Sequence, residues 1–409
     1  MGRANLPTSD NSARRGAVVV GGGGHGALAI VRSLGRRGIP VWLLVDELRV
    51  ATSSRYLRGW SRWPASLPPE QQTEYLLDTA HRNHLEGWTL IPGSEQTPEL
   101  IASQREALGP IFRLATSSVE AVRDALDKRR SYALADRCGV DHPRTFYPES
   151  IAELMRLEVR FPAILKPSIK AGWNALIGAK AWKVNDREDL LGRYREAQAM
   201  MEPRTIMLQD FIPGGNENQY SYAALCRDGT PLASLVARRL RQYPIEFGRS
   251  SSLVETLDLP DVETAAQRLL RDMNFTGIVE VEFKRDPRDD KLRLLDINPR
   301  VWRWMSLGRR VGVDFPYLLY RMSRSEPIDP VKAIAGVRWV RMSTDLFAAA
   351  SEMLRGTTTV RAYLDSLCAP LEFASFAFDD PLPALLEMPL LLASEVRHSR
   401  LGRALRMRH

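Results

Sequence analysis

At 409 residues the chain is too long for one average domain and suggests two or three, and its 44% hydrophobic and 26% charged residues describe a soluble globular protein with a sizeable core. Its formal charge of +8 is spread over 57 basic and 49 acidic residues with no basic stripe interleaved with aromatics, which excludes a nucleic-acid partner from the expectations and favours small anions. Cys138, Cys226 and Cys368 form no CxxC pair, AVVV is too short for a signal-peptide core, Leu6 spoils a myristoylation signal, and no apolar run of about eighteen residues spans a membrane, so a cytoplasmic location is expected.

Residues 1–15 are polar and basic and are predicted to be disordered. From Ala17, AVVVGGGGHGALAIVRSLGRRGIPVWLLVD reads as strand, glycine turn, helix and second strand, a βαβ start with apolar parallel strands. The glycines Gly21 to Gly26 let backbone approach a phosphate at a helix N-terminus, and Asp46 ends the next strand where a ribose would lie. Alone, this stretch describes a dinucleotide-binding domain and an NAD(P)-dependent oxidoreductase. The same glycines serve equally to make the turn, and His25 reads either as a site residue or as a loop residue capping backbone. Ser53, Ser54, Arg55 and Tyr56 fall in a loop, and LIPGS (Leu90 to Ser94) is a short strand running into a turn.

DALDKRRSYALADRCGVDHPRTF places Asp127 before a helix that starts at Lys128, ends near Gly139 and is followed by an extended segment at His142-Pro143. FPAILKPSIKAGW is a strand ending on Lys166 that opens into a loop, Ser168 to Asn174, containing Lys170, Gly172 and Trp173. A compact cation at a strand end suits transferring phosphoryl oxygens. IMLQDFIPGGNENQYSYAALCRDGTPLASLVARRLRQYP gives a strand, a hinge at Gln209 to Ile212, a Gly-Gly turn, and two strands about Asp228-Gly229. Hinge backbone amides can pair with a purine edge, Phe211 and Ile212 supply apolar contact, and Glu217 can bond ribose hydroxyls. Arg238, Arg239 and Arg241 read either as a solvated edge or as a clamp on a substrate carboxylate, ahead of the loop EFGRSSS.

FTGIVEVEFKRDPRDDKLRLLDINPRVWRW is predicted to be a β-hairpin turning at DPRDD. Alternation puts Glu280 and Glu282 on one face of its first strand and Asp296 and Asn298 on one face of its second. Glu282, Asp296 and Asn298 can therefore surround one point, an oxygen set suited to Mg²⁺ shared with a nucleoside triphosphate. The competing reading pairs the hairpin's acids with Arg285, Arg288 and Arg293. Arg300 follows, then helix-like WRWMSLGRRVGVDFPYLLYRMS. The tail LLEMPLLLASEVRHSRLGRALRMRH mixes apolar and basic residues at helical spacing and is expected to dock as a terminal helix rather than lie on a membrane surface.

Taken together, DK-helix-Gly-Val-x-x-Pro, the strand-end lysine, the hinge and VEVEFK followed by LLDINPR resemble the ATP-grasp ligases across residues 16–325. The resemblance implies an α/β protein: a Rossmann-like pre-ATP-grasp βαβ domain (16–120), an ATP-grasp fold of two α+β subdomains (121–325) and a C-terminal helical extension (326–409). It implies ATP and two ions of Mg²⁺ or Mn²⁺ as cofactors. Lys128 and Lys166 then reach the phosphates, Gln209, Asp210, Phe211 and Ile212 the adenine, Glu217 the ribose, and Glu282, Asp296 and Asn298 the metals. Arg300 and Lys166 take the catalytic roles, with Gly24, His25, Arg239 and Arg241 as substrate candidates. The activity implied is an ATP-dependent carboxylate-amine ligase acting through an acyl phosphate on small molecules, with a homodimer compatible. Two departures are visible. Asp296 stands where the family has Glu, and the loop after Lys166 is glycine-poor, which keeps open a catalytically inactive ATP-binding protein beside the oxidoreductase.

Overall fold

The computed structural model describes residues 16–168, 181–244 and 250–398. The expected disordered terminus, Lys170, Gly172 and Trp173 of the loop after Lys166, and residues 246–249 of the EFGRSSS loop lie outside the described residues. Two units make up the chain: residues up to 115 with 316–327 and those from 375 onward, and residues 116–315 with 328–374. The stretch 326–409 is therefore shared between the units instead of forming the separate extension expected of it.

In the first unit, Ala17–Val20 (β1), Val41–Val45 (β2), Gly59–Arg62 (β3), Thr89–Pro92 (β4) and Arg113–Leu114 (β5) form a wholly parallel sheet in the order β3-β2-β1-β4-β5. Such an order is that of a doubly wound sheet, and it explains the unbroken apolar runs of β1 and β2, whose side chains are covered on both faces. The helix His25–Gly35 returns the chain between them. Gly21 has φ +78°, and a Cβ on Gly22 would lie 2.5 Å from the carbonyl oxygen of Gly93, so the turn needs glycine to bring two strand ends together.

The same unit contains the helix Leu382–His398 and the segment before it. Asp380 is buried and accepts from Arg32 Nε at 2.9 Å, Ser54 Oγ at 2.7 Å and the Arg55 N–H at 3.0 Å. Asp379 takes a bidentate pair from Arg36, both at 2.7 Å, and the Tyr56 hydroxyl at 2.8 Å, and the Arg36 guanidinium holds its carboxyl well below the usual carboxylate range. The loop residues Ser54, Arg55 and Tyr56 thus clamp the returning chain. Asp380→Ala, which leaves Arg32 buried without its carboxylate, should cost about 3–5 kcal/mol in urea unfolding, whereas Asp379→Ala at the half-exposed pair should cost only about 1 kcal/mol.

The second unit holds two sheets. Thr145–Phe146 (β6), Ala163–Pro167 (β7), Trp182–Val184 (β8) and Ile206–Asp210 (β9) form an antiparallel sheet in the order β6-β9-β7-β8. The larger sheet comprises Gln219–Arg227 (β10), Thr230–Tyr243 (β11), Ser250–Leu257 (β12), Gly277–Arg285 (β13), Leu292–Asn298 (β14), Val331–Lys332 (β15), Arg338–Val340 (β16) and Leu371–Phe373 (β17). Its order is β14-β13-β10-β11-β12-β16-β17, with β15 paired to β11. Val279, Val281 and Phe283 alternate along β13 into a core shared with Leu269 and Leu270 of the helix Pro260–Asp272, which leaves the intervening Glu280, Glu282 and Lys284 on the other face.

Candidate active site

The predicted hairpin forms as β13 and β14, with Glu282 directly opposite Asp296 and Glu280 opposite Asn298. Between Glu282 and Phe283 the register slips, so Phe283 pairs with Leu294 and Leu295 is bulged out. The bulge lets Leu294 and Ile297 both enter the core while Asp296 and Asn298 stay on the Glu282 face. Asn298 Nδ2 donates to Glu282 Oε1 at 2.9 Å, and Arg300 Nη2 to Asn298 Oδ1 at 3.4 Å. The alternative reading of the hairpin also holds, but only at its tip. There Asp286 and Asp289 pair with Arg288 and Arg293, and Arg285 pairs with Asp261.

Lys128 opens the helix Lys128–Arg137, capped by Asp127, whose side chain accepts from the Arg129 N–H. The lysine is buried, and its Nζ donates to Asp296 Oδ1 at 2.7 Å and to the Leu295 carbonyl at 2.9 Å. Its own N–H donates to the Ser168 carbonyl at 3.1 Å, just past the end of β7, where Lys166 lies opposite Met207 of β9. Tyr132, one turn along the helix, donates to the Leu295 carbonyl at 3.4 Å and accepts from Gln209 Nε2 at 2.9 Å.

Gln209 and Asp210 end β9, and the chain then runs through Phe211 and Ile212 without regular structure. Lys284 on β13 donates to the carbonyls of Ile212 and Gly214, both at 2.9 Å, and its Nζ lies 5.7 Å from the centre of the Phe211 ring, with Lys183 Nζ at 5.0 Å. Glu217 sits in the short turn Asn216–Asn218, where its Oε1 accepts from the Gly215 N–H at 3.2 Å and from Asn218 Nδ2 at 3.3 Å.

The two arginines singled out on β11 part company. The register against β12 skips Leu240, so Arg239 pairs with Val254 and Arg241 with Leu253, adjacent residues that face opposite ways. Arg239 lies on the Glu282 face, donating to Glu282 Oε2 at 3.3 Å, Gln219 Oε1 at 2.8 Å, Gln242 Oε1 at 3.1 Å and Ser251 Oγ at 2.9 Å. Arg241 turns away into a buried bidentate pair with Asp345, at 2.9 and 2.8 Å, and bonds Ser366. The substrate role expected of Arg241 therefore has no place on this face. Gly24 and His25 belong to the first unit, where buried His25 Nε2 lies 2.9 Å from Glu387 Oε1 and Ser375 Oγ bonds the other oxygen of Glu387. A carboxylate of the same chain thus stands beside the first residue of the glycine-turn helix, and the oxidoreductase reading loses support there.

No group of three or more His, Cys, Asp and Glu side chains gathers as a metal site among the described residues. The hairpin offers two carboxylates and an amide, an oxygen set that suits Mg²⁺, and each carboxylate already faces a cation, Glu282 with Arg239 and Asp296 with Lys128. The residues therefore fit a hard cation bound together with a phosphate ligand.

Part of this two-sheet unit, including its hairpin and hinge, is similar to a known family. Residues 202–345 match the family described as "ATP-grasp in the biosynthetic pathway with Ter operon". The carbamoyl phosphate synthase large chain of Gemmatimonas aurantiaca is 23% identical over 268 residues, covering 63% of this chain and 23% of that protein, so the chain spans under a quarter of this relative's length. Among solved structures, a biotin carboxylase in a βγ-ATP complex from Campylobacter jejuni superposes with TM-score 0.63 at 14% identity, over 80% of this chain and 75% of that one. An L-amino acid ligase from Bacillus licheniformis does so with TM-score 0.57 at 15% identity, over 78% and 79%. At these identities the structural likeness is one of fold.

Glu280 and Lys284 were not singled out as site residues from the sequence, although their alternation with Glu282 carried the signal. Glu280 is buried, and burial first, then the Glu282 carboxylate, push its carboxyl up to about 7 against the pull of Arg300 and Arg239. Because the folded state holds this proton after the unfolded chain has lost it, stability should fall as pH rises from about 4.5 to about 7. Glu280→Gln should flatten that slope in metal-free buffer, read as the difference in melting temperature between pH 5 and pH 8.

Proposed function

We propose that the protein is an ATP-dependent carboxylate-amine ligase acting through an acyl phosphate. The observation that carries this reading is the gathering of Glu282, Asp296 and Asn298 on one hairpin face beside Arg239, Arg300 and Lys128. The carbamoyl phosphate synthase, biotin carboxylase and L-amino acid ligase likenesses support it.

In this reading Glu282, Asp296 and Asn298 hold Mg²⁺, which when bound neutralises the phosphate oxygens and favours in-line transfer. Lys128 and Lys166 add positive charge along the phosphates, the backbone from Gln209 to Ile212 takes the adenine edge, and Glu217 takes the ribose. A carboxylate oxygen of the substrate attacks the γ-phosphorus, the bond from phosphorus to the bridging oxygen breaks, and ADP leaves. An amine then attacks the acyl carbon, phosphate departs with the carbon–oxygen electron pair, and the amine loses a proton. Arg300 holds the acyl phosphate, and Arg239, fixed by Gln219, Gln242 and Ser251, is set to orient the substrate carboxylate. Small carboxylates and amines are the substrate classes, with a cytoplasmic homodimer as the working form.

ATP with Mg²⁺ should raise the melting temperature while NAD does not, and a screen of amino acids and short peptides should find substrate-dependent ADP release. Glu282→Ala and Asn298→Ala should abolish that release with limited loss of stability, and wild-type rates in both at saturating Mg²⁺ would remove the metal assignment. Asp296→Glu separates an active site from a decayed one. In a site built around the shorter acid and Lys128, the longer acid should slow turnover by about tenfold or more. A gain in ADP formation would instead mark Asp296 as the lesion of an inactive ATP-binding protein.

A further inference from the structure

One charged side chain of β13 has no task in the ligase chemistry above. Lys284 follows Glu282 on the same face of the strand and is half-buried. No carboxylate lies within ion-pair distance of it among the described residues, and its Nζ donates instead to the carbonyls of Ile212 and Gly214, both at 2.9 Å. An ammonium taken partly out of water is costly unless acceptors surround it, so these two carbonyls of an irregular loop are committed to it. The loop runs from the end of β9 at Asp210 to the start of β10 at Gln219, and Gln219 is the residue that pairs with Lys284 in the sheet. The backbone of Lys284 therefore holds the far end of the loop and its side chain the near end.

The peptide between Ile212 and Pro213 has no N–H, so its carbonyl is all it can offer, and Lys284 takes that. On the other side, the Phe211 carbonyl accepts from Arg288 Nη2 at 3.4 Å. Across a trans peptide the Ile212 N–H points opposite to that carbonyl, so tying down both flanking carbonyls sets its direction. Ile212 is buried, and its N–H meets no acceptor among the described residues, which a buried backbone donor seldom tolerates without a ligand. We infer that Lys284 is a positioning residue for the nucleoside: by holding the Ile212 and Gly214 carbonyls it presents the Ile212 N–H to the edge of the purine ring. This role rests on the ATP-binding reading above and adds to it the residue that builds the purine contact before the ligand arrives. Lys284 bonds neither phosphate nor metal in this role, unlike Lys128 and Lys166. A loop held beforehand loses less freedom on binding, so the benefit falls on affinity for the purine part of the nucleotide.

The test is titration calorimetry of the full chain with MgATP and with magnesium tripolyphosphate, which has the phosphates without the purine. Lys284→Met, which keeps the stem and removes the ammonium, should weaken MgATP binding at least about tenfold and tripolyphosphate binding by less than about twofold. Lys284→Arg, able to donate to two carbonyls, should recover most of the lost affinity. Lys284→Gln should show the same selective loss as Lys284→Met and serves in its place if the methionine variant does not fold. Equal weakening of both ligands would overturn the inference, because it would place the ammonium among the phosphate contacts or in the general stability of the site. A wild-type chain that binds no MgATP would overturn the ligase reading and this inference with it, whereas wild-type MgATP binding that Lys284→Met leaves intact would overturn the inference alone.

Discussion

Lys128 ties three parts of the second unit to one another: its N–H meets the carbonyl of Ser168 past the end of β7, and its ammonium meets Leu295 and Asp296 on β14. A buried lysine needs such partners, because its charge is costly to take out of water unless a carboxylate and further acceptors surround it. The bulge at Leu295 turns a backbone carbonyl toward the lysine, and Tyr132 shares that carbonyl while bonding Gln209 at the hinge. The end of β7, strand β14 and the segment after β9 are thereby held to a common anchor.

Two β-bulges then sort side chains that strict alternation would have left together. On β14 the bulge sends Leu294 and Ile297 inward and keeps Asp296 and Asn298 facing Glu282. On β11 the skipped Leu240 leaves Arg239 on that face and commits Arg241 to the buried Asp345. An arginine bonded through three nitrogens to Glu282, Gln219, Gln242 and Ser251 has little rotamer freedom left, so its guanidinium is held in one place.

In the first unit the glycine turn has an architectural use. Gly22 admits the backbone at Gly93, and the returning segment around Asp379, Asp380 and Glu387 fastens to Arg36, Arg32 and His25. Ser54, Arg55 and Tyr56 complete that clamp from the following loop. Residues distant in sequence therefore satisfy polar groups that a short βαβ start could not satisfy alone.

Periodicity and turn chemistry were enough to read much of this protein from its sequence: the apolar parallel strands, the Asp127 cap, the Asp228-Gly229 turn and the alternation that puts Glu280 and Glu282 on one face of β13 are local consequences of local residues. The ordered run of lysines, hinge and DINPR also sufficed to suggest the fold. What no local pattern contains is register and long-range pairing. A one-residue bulge turns Arg241 away from the face that Arg239 shares with Glu282, the acid that meets His25 lies 362 residues away, and the segment from Ser375 returns to the first unit because Arg32 and Arg36 wait there for Asp380 and Asp379. Those outcomes depend on which partners the folded chain brings within hydrogen-bonding distance, and only the tertiary structure decides that.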